Sequence, residues 1–181
     1  SSENSTETEV TEETEEQEED SGGEGEEEVD ETEEVEEPEP DPLTDFLQAG
    51  PYSIIVDDRT TSVTDCSSMN YSVYSPVGSV DAPVVILGHG FARGSGVMVG
   101  WAEHLSSWGV EVLLPTLCHY NVFMGVDHEM NGQNMTELAD IHGAEDVVYA
   151  GHSAGGLAAI IAASWDVGAA GVLGLDTTDT D

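Results

Sequence analysis

Four short, strongly apolar runs restrict the fold of this chain more than any other feature of its 181 residues. Each run is followed directly by a glycine, a proline or an aspartate, and such runs are typical of strands buried on both faces. Because helical patterns separate them, the sequence predicts a mostly parallel α/β sheet with flanking helices and right-handed crossovers. The runs are residues 83–87, 110–114, 147–150 and 171–175.

The segments around these runs complete the predicted order of elements. Two β-rich pieces before the first run indicate an antiparallel pair, and apolar residues at helical spacing indicate a helix after each of three runs. We expect strands at 52–56 and 69–74, helices at 97–108, 134–142 and 154–164, and a polar, aromatic loop at 115–130.

The acidic residues are concentrated before the first predicted strand. Residues 1–42 hold 22 of the 39 acidic side chains and no basic one, and the whole chain has only Arg59 and Arg93 against a net charge of -37. With few aliphatic side chains to bury, this segment is predicted to be a disordered acidic tail or linker. It acts as a solvating spacer or as a specific acidic binding segment. Residues 43–181 are the predicted folded domain.

So large an excess of acid excludes two classes of partner. A protein that reads nucleic-acid phosphates needs lysine and arginine, and attraction to an anionic membrane surface needs a polybasic patch. No apolar stretch approaches the roughly 18 residues of a membrane span. We therefore expect no nucleic-acid partner and no integral membrane segment.

Two features bear on the cellular compartment. The chain begins with Ser1 rather than methionine, and an acidic tether suits a domain held off a surface. We therefore expect an exported protein: secreted, periplasmic or surface-tethered, for example as a lipoprotein. Cys66 and Cys118 would then form one disulfide closing a loop of about 50 residues. In the cytoplasm they would be two buried thiols, and both possibilities stay open.

The segment Gly-His-Ser-Ala-Gly-Gly at 151–156 carries the sharpest chemical signal. It satisfies the G-x-S-x-G pattern between a buried strand and a helix, which is the context in which that serine is a nucleophile. Ser153 is expected in a tight, strained turn, where glycines at 151 and 155 remove side chains that would collide. The N–H of Ala154, at the helix N-terminus, is expected to stabilise a developing oxyanion.

A glycine-rich turn, Leu-Gly-His-Gly-Phe at 87–91, follows the first apolar run. A second oxyanion donor is expected at this place in such a sheet. The glycines let the backbone turn so that the Phe91 N–H points at a substrate carbonyl oxygen. The alternative is a strand-to-helix connection with no chemical role.

In three segments the chain resembles the α/β-hydrolases, and among them the chlorophyllase, dienelactone-hydrolase and polyester-hydrolase-like branch. The segments are Val-Val-Ile-Leu-Gly-His-Gly-Phe at 84–91, Tyr-Ala-Gly-His-Ser-Ala-Gly-Gly at 149–156 and Gly-Val-Leu-Gly-Leu-Asp at 171–176. The resemblance implies that Asp176 is the acid of a catalytic triad, with Asp179 as the second choice. An aspartate-rich strand end that only caps a loop is the alternative. No cofactor and no metal is expected.

The chain order of such a triad is serine, acid, histidine, but no histidine follows Asp176. The six histidines stand at 89, 104, 119, 128, 142 and 152. We therefore expect this sequence to be the N-terminal part of a longer hydrolase whose catalytic histidine follows residue 181. The alternative bases are His89, His119, His128 and His152. A metal site at 119–128, with Asp127 and Glu129, follows no established ligand spacing.

Together these features predict a serine carboxylic-ester hydrolase that acts on a small-molecule or polymeric ester through an acyl-enzyme. The alternatives are another acyl hydrolase or transferase on the same fold, such as a peptidase or lactonase, or a non-catalytic, surface-tethered acidic domain. Acyl chain length, leaving group and oligomeric state stay open. The candidates for an apolar acyl pocket are Phe91, Trp101, Tyr120 and Phe123, although Trp101 also fits a helix core.

Overall fold

The structure is a computed structural model that describes residues 45–121, 123 and 125–178. The predicted tail at 1–42 and the alternative acid Asp179 lie outside the described residues. The strands are β1 Ile54–Val63, β2 Cys66–Pro76, β3 Val84–Gly88, β4 Glu111–Pro115, β5 Tyr120–Asn121, β6 Gly125–Val126, β7 Val147–His152 and β8 Ala169–Leu175. The helices are α1 Val99–Ser107, α2 His128–His142 and α3 Ala154–Trp165.

Six strands form one mostly parallel sheet in the order β1-β2-β4-β3-β7-β8. The first two strands pair antiparallel, as predicted, and β2 also runs antiparallel to β4. The strands β4, β3, β7 and β8 are all parallel, which confirms the predicted α/β sheet. Their carboxyl ends therefore lie at one edge of the sheet, where ligands bind in open α/β folds.

The helix α2 begins six residues before the position that the apolar pattern predicts. Its first turns, from His128 to Gln133, are mostly polar, so they show little hydrophobic periodicity. Asp127 begins the helix instead, because its carboxylate accepts a hydrogen bond of 3.0 Å from the Met130 N–H. The helix ends at Gly143, whose φ of 72° is left-handed and costs glycine nothing.

The sheet is covered by helices on both faces, and a hydrophobic cluster fills each interface. The helices α2 and α3 pack on one face, over side chains such as Ile86 and Tyr149. The helix α1 packs on the other face, over side chains such as Leu87 and Val112. No helix in the described residues is both long and apolar enough to cross a membrane.

The expectation that the fourth apolar run is a buried strand is wrong. Val172 and Leu173 of β8 are 47% and 49% exposed. The reason is position: within the described residues β8 pairs only with β7, at the end of the sheet. Apolar composition predicts a strand, but burial on both faces also needs neighbours that cover it.

Cys66 and Cys118 form a disulfide, with their Cα atoms 6.1 Å apart. The bond joins the start of β2 to the segment after β4 across 52 residues of sequence. Closing a loop of this length in the unfolded chain stabilises the folded state by about 4 kcal/mol. Of the two possibilities that the sequence leaves open, the structure has the disulfide.

Candidate active site

Ser153 occupies the sharp turn between β7 and α3. Its backbone angles, φ 54° and ψ −122°, are strongly unfavourable for a residue with a side chain. Hydrogen bonds hold this conformation on both sides: the Ser153 N–H donates to Leu175 O at 2.9 Å, and the Gly156 N–H donates to Ser153 O at 2.9 Å. The turn that the sequence predicts is therefore present and is braced by the end of β8.

Two glycines of the motif allow this turn to pack against its neighbours. A Cβ atom at Gly155 would lie 2.5 Å from His89 O and 2.5 Å from the carbonyl carbon of Gly88. A Cβ atom at Gly151 would collide with the carbonyl group of Gly155. Since all of these neighbours are backbone atoms, no side-chain rotation relieves the contact. The end of β3, the end of β7 and the first turn of α3 are therefore in direct backbone contact.

The turn after β3 lies directly beside Ser153. A Cβ atom at Gly90 would be 3.4 Å from the Ser153 Cβ and 3.1 Å from His152 Nδ1. Within the described residues, the N–H groups of Phe91 and Ala154 have no hydrogen-bond partner. Two free backbone donors, one from each turn, thus flank the serine, as stabilisation of an oxyanion requires.

His89 holds the Phe91 N–H in its orientation. It is only 2% exposed; its Nδ1 lies 2.9 Å from Gly90 O, and its Nε2 accepts a hydrogen bond of 3.0 Å from the Leu117 N–H. The proton is therefore on Nδ1, and burial lowers the pKa of His89 although the Gly90 hydrogen bond opposes the shift. Gly90 O and the Phe91 N–H belong to one planar peptide group, so this bond fixes the direction of the donor.

The role of His89 is one that the sequence does not reveal. Its place in the glycine-rich turn indicates only that it lies near the site. Because both ring nitrogens are occupied, His89 is not available as the base for Ser153.

None of the other candidate bases, His119, His128 and His152, hydrogen-bonds the Ser153 hydroxyl within the described residues. His128 Nδ1 lies 3.2 Å from Ala154 O, and Asn131 binds the backbone of His119 through its side chain. The Nε2 atom of His119 is buried without a partner among the described residues. In that part of the chain no histidine hydrogen-bonds the Ser153 hydroxyl, and no three His, Cys, Asp or Glu side chains form a metal-binding group.

Asp176 follows the last residue of β8, which is the strand that braces Ser153. Its backbone is left-handed, with φ 48°, and its side chain is exposed. The main chain at Asp176 is close to the serine because Leu175 O accepts the Ser153 N–H. Its carboxylate makes no ion pair or hydrogen bond within the described residues, so its assignment as the triad acid stays a prediction.

Of the four aromatic candidates for an acyl pocket, the structure brings two together. The rings of Phe91 and Tyr120 meet edge to face, with centroids 6.4 Å apart, and both line a small cavity of about 10 Å³ beside Ala154. Trp101 lies on α1, half exposed, and Phe123 is 93% exposed. A larger cavity of about 750 Å³ lies between Tyr120, His128 and the α3 side chains Leu157 and Ile161.

Neither a protein-family model nor a curated protein matches this chain. Solved structures do match it. The chain is similar to the α/β-hydrolase GrgF from Penicillium sp. sh18, with a TM-score of 0.60 and 14% identity over 68% of this chain and 46% of that one. It is similar to a bacterial heroin esterase, with a TM-score of 0.57 and 15% identity over 77% and 49%. It is also similar to epoxide hydrolase A from Mycobacterium thermoresistibile, with a TM-score of 0.56 and 23% identity over 66% and 39%.

The fold is that of the α/β-hydrolases. This chain spans less than half the length of each of the three solved structures, and the identities are low enough that the likeness concerns the fold alone.

The α/β-hydrolase fold places its nucleophile on the strand-to-helix turn and takes one oxyanion donor from the residue after it and another from the turn after β3. In this chain Ser153 lies on the turn between β7 and α3, Ala154 follows it, and Phe91 lies in the turn after β3.

Proposed function

We propose that Ser153 is the nucleophile of a serine carboxylic-ester hydrolase. The observation that carries the proposal is the strained backbone of Ser153, held between two free N–H donors. Strain of this kind is kept where the chemistry needs the side chain projected into a site.

In the proposed reaction the Ser153 hydroxyl attacks the carbonyl carbon of the ester. The resulting oxyanion accepts hydrogen bonds from the Phe91 and Ala154 N–H groups, and the alcohol leaves with a proton to give an acyl-serine. Water then attacks the acyl group and releases the acid. We propose Asp176 as the acid of the triad, whose chain order is serine, acid, histidine.

Three observations support an ester as the substrate. A serine hydroxyl forms an acyl intermediate with carboxylic esters and related acyl groups. One of the structures that this chain resembles is named an esterase. The motifs at 84–91 and 149–156 also resemble the chlorophyllase, dienelactone-hydrolase and polyester-hydrolase-like branch, whose members act on esters. The disulfide between Cys66 and Cys118 further supports the proposal that the domain is exported, because such bonds persist in oxidising compartments.

The proposal is tested on the full-length protein with p-nitrophenyl butyrate and a fluorophosphonate probe. We expect hydrolysis and labelling by the unaltered protein, and a loss of turnover of at least about a thousandfold for Ser153→Ala. Ser164→Ala is the matched control, because Ser164 lies at the far end of α3 and bonds only Ile161 O, at 2.7 Å.

Equal turnover by the unaltered protein and Ser153→Ala would contradict the proposal. Hydrolysis of amides or lactones in preference to esters would keep the nucleophile but change the substrate class.

A further inference from the structure

Positive charge is scarce in this chain, and its two arginines differ in their ion pairing within the described residues. Arg59 is paired, because its Nε atom lies 2.7 Å from Asp57 Oδ2. Arg93 is exposed and makes no ion pair in the part of the chain that the structure describes. In a protein with 39 acidic residues and no lysine, Arg93 is therefore a local reversal of the surface charge.

Arg93 lies in the turn after β3, the turn that flanks Ser153. The Arg93 N–H donates a hydrogen bond of 3.3 Å to Gly90 O, and a Cβ atom at Gly90 would be 3.4 Å from the Ser153 Cβ. Between them, Ala92 is left-handed with φ 52°, so the chain folds back on itself here. Arg93 therefore belongs to the same turn as Gly90, whose Cβ position lies next to the Ser153 side chain, and an arginine side chain is long enough to reach a ligand at this turn.

A guanidinium group in this place selects for one kind of ligand. Its planar fork of N–H donors matches a carboxylate, which it binds through two parallel hydrogen bonds. The chain has no lysine, and Arg59 is paired with Asp57, so no other arginine or lysine competes with Arg93 for a negatively charged substrate.

We propose that Arg93 binds a carboxylate of the substrate, so that the preferred substrates of the Ser153 site are esters that carry a second, free carboxylate. This inference rests on the proposed function for the reaction, but the binding site itself is independent of turnover.

Binding is measured on the full chain by ligand-observed NMR with two probes that lack an ester, 4-acetamidobenzoate and 4-acetamidobenzamide. They differ in the carboxylate alone. We expect the carboxylate to bind about fivefold more tightly, which is the size of effect that an exposed but well-oriented ion pair gives. Arg93→Gln should abolish this preference, and Arg93→Lys should restore part of it.

Arg59→Gln is the matched control, because it removes the same charge from an exposed site on β1. It should keep the preference for the carboxylate. Equal binding of the two probes, an equal loss of preference in Arg59→Gln and Arg93→Gln, or no binding of either probe at millimolar concentration would each overturn the inference.

Hydrolysis of 4-acetoxybenzoate and 4-acetoxybenzamide by the full-length protein separates this inference from the proposed function. Turnover of both esters at equal kcat/KM keeps the esterase and rejects the role of Arg93. A carboxylate preference in binding without hydrolysis of either ester keeps the anion site and rejects the esterase.

Discussion

The strands β3 and β8 both pair in parallel with β7, and both are apolar, yet they differ in how far their side chains are buried. All five residues of β3 are buried. In β8, by contrast, the two largest central side chains, Val172 and Leu173, are about half exposed.

Coverage explains the difference between the two strands. The strand β3 has β4 and β7 as neighbours, contacts α3 on one face and shares a hydrophobic cluster with α1 on the other. Among the described residues, β8 has β7 alone as a neighbouring strand and contacts α3 on one face. The comparison teaches that β3 supports the candidate site from the buried middle of the sheet, whereas β8 supports it through its pairing with β7 and the hydrogen bond from the Ser153 N–H to Leu175 O.

The largest expected effect tests the difference in burial between β3 and β8 at one leucine of each strand. Leu87→Ala in β3 removes a side chain that is 1% exposed and should lower the free energy of unfolding by about 3 kcal/mol, since it leaves a cavity. Leu173→Ala in β8 should cost less than about 1 kcal/mol, because that side chain is already half hydrated. Urea denaturation curves with equal slopes measure both values. Equal costs would mean that β8 is covered in solution.

A somewhat smaller effect tests the backbone contact between β3 and α3. Gly155→Ala places a methyl group against Gly88 and His89, which should cost about 2 kcal/mol and reduce fluorophosphonate labelling of Ser153 as the turn shifts. Gly100→Ala in α1 is the control: nothing lies within 4 Å of the added atom. Alanine there should stabilise the helix by about 0.5 kcal/mol. A Gly155→Ala variant as stable and reactive as the unaltered protein would show that the contact is not tight.

The smallest expected effect concerns the first residue of β4, Glu111, which pairs with Val84 of β3. Burial would raise the pKa of Glu111, but hydrogen bonds from Ser75 at 2.6 Å and His142 at 2.7 Å outweigh it and hold the pKa below its usual 4.5. The folded state therefore favours the ionised carboxylate. The stability that this carboxylate contributes is complete above its pKa in the unfolded state and is lost as the pH falls through its pKa in the folded state.

Glu111→Gln should accordingly lower the free energy of unfolding by about 1 kcal/mol at pH 7. Denaturation midpoints at pH 7 and pH 3 measure the difference between the variant and the unaltered protein. We expect the difference to shrink at pH 3. A difference that is constant across this range would contradict the assigned ionisation.

Much of the fold is readable from the sequence because local patterns determine it. The buried runs at 83–87 and 147–150 and the helix at 154–164 lie within two residues of β3, β7 and α3. The turn at Ser153 is readable because its motif is contiguous: the glycine at 151 avoids a collision with the backbone of Gly155, and the strand and helix adjoin the motif directly.

Other features were missed or left open because the apolar pattern does not report them. The polar start of α2 depends on capping by Asp127 rather than on an apolar stripe. The pairing of Cys66 with Cys118 and the hydrogen bond from Leu117 to His89 join residues far apart in the chain. No local pattern reports such contacts.

The sequence by itself determined the order of strands and helices, the strained serine turn and the glycine-rich turn after β3, because sterics and hydrophobic periodicity act over a few residues. Only the tertiary structure decided that, within the described residues, β8 lies at the end of the sheet, both ring nitrogens of His89 are hydrogen-bonded, and Arg93 makes no ion pair. The physical reason is that burial, tautomer and charge pairing depend on which groups the completed sheet brings together.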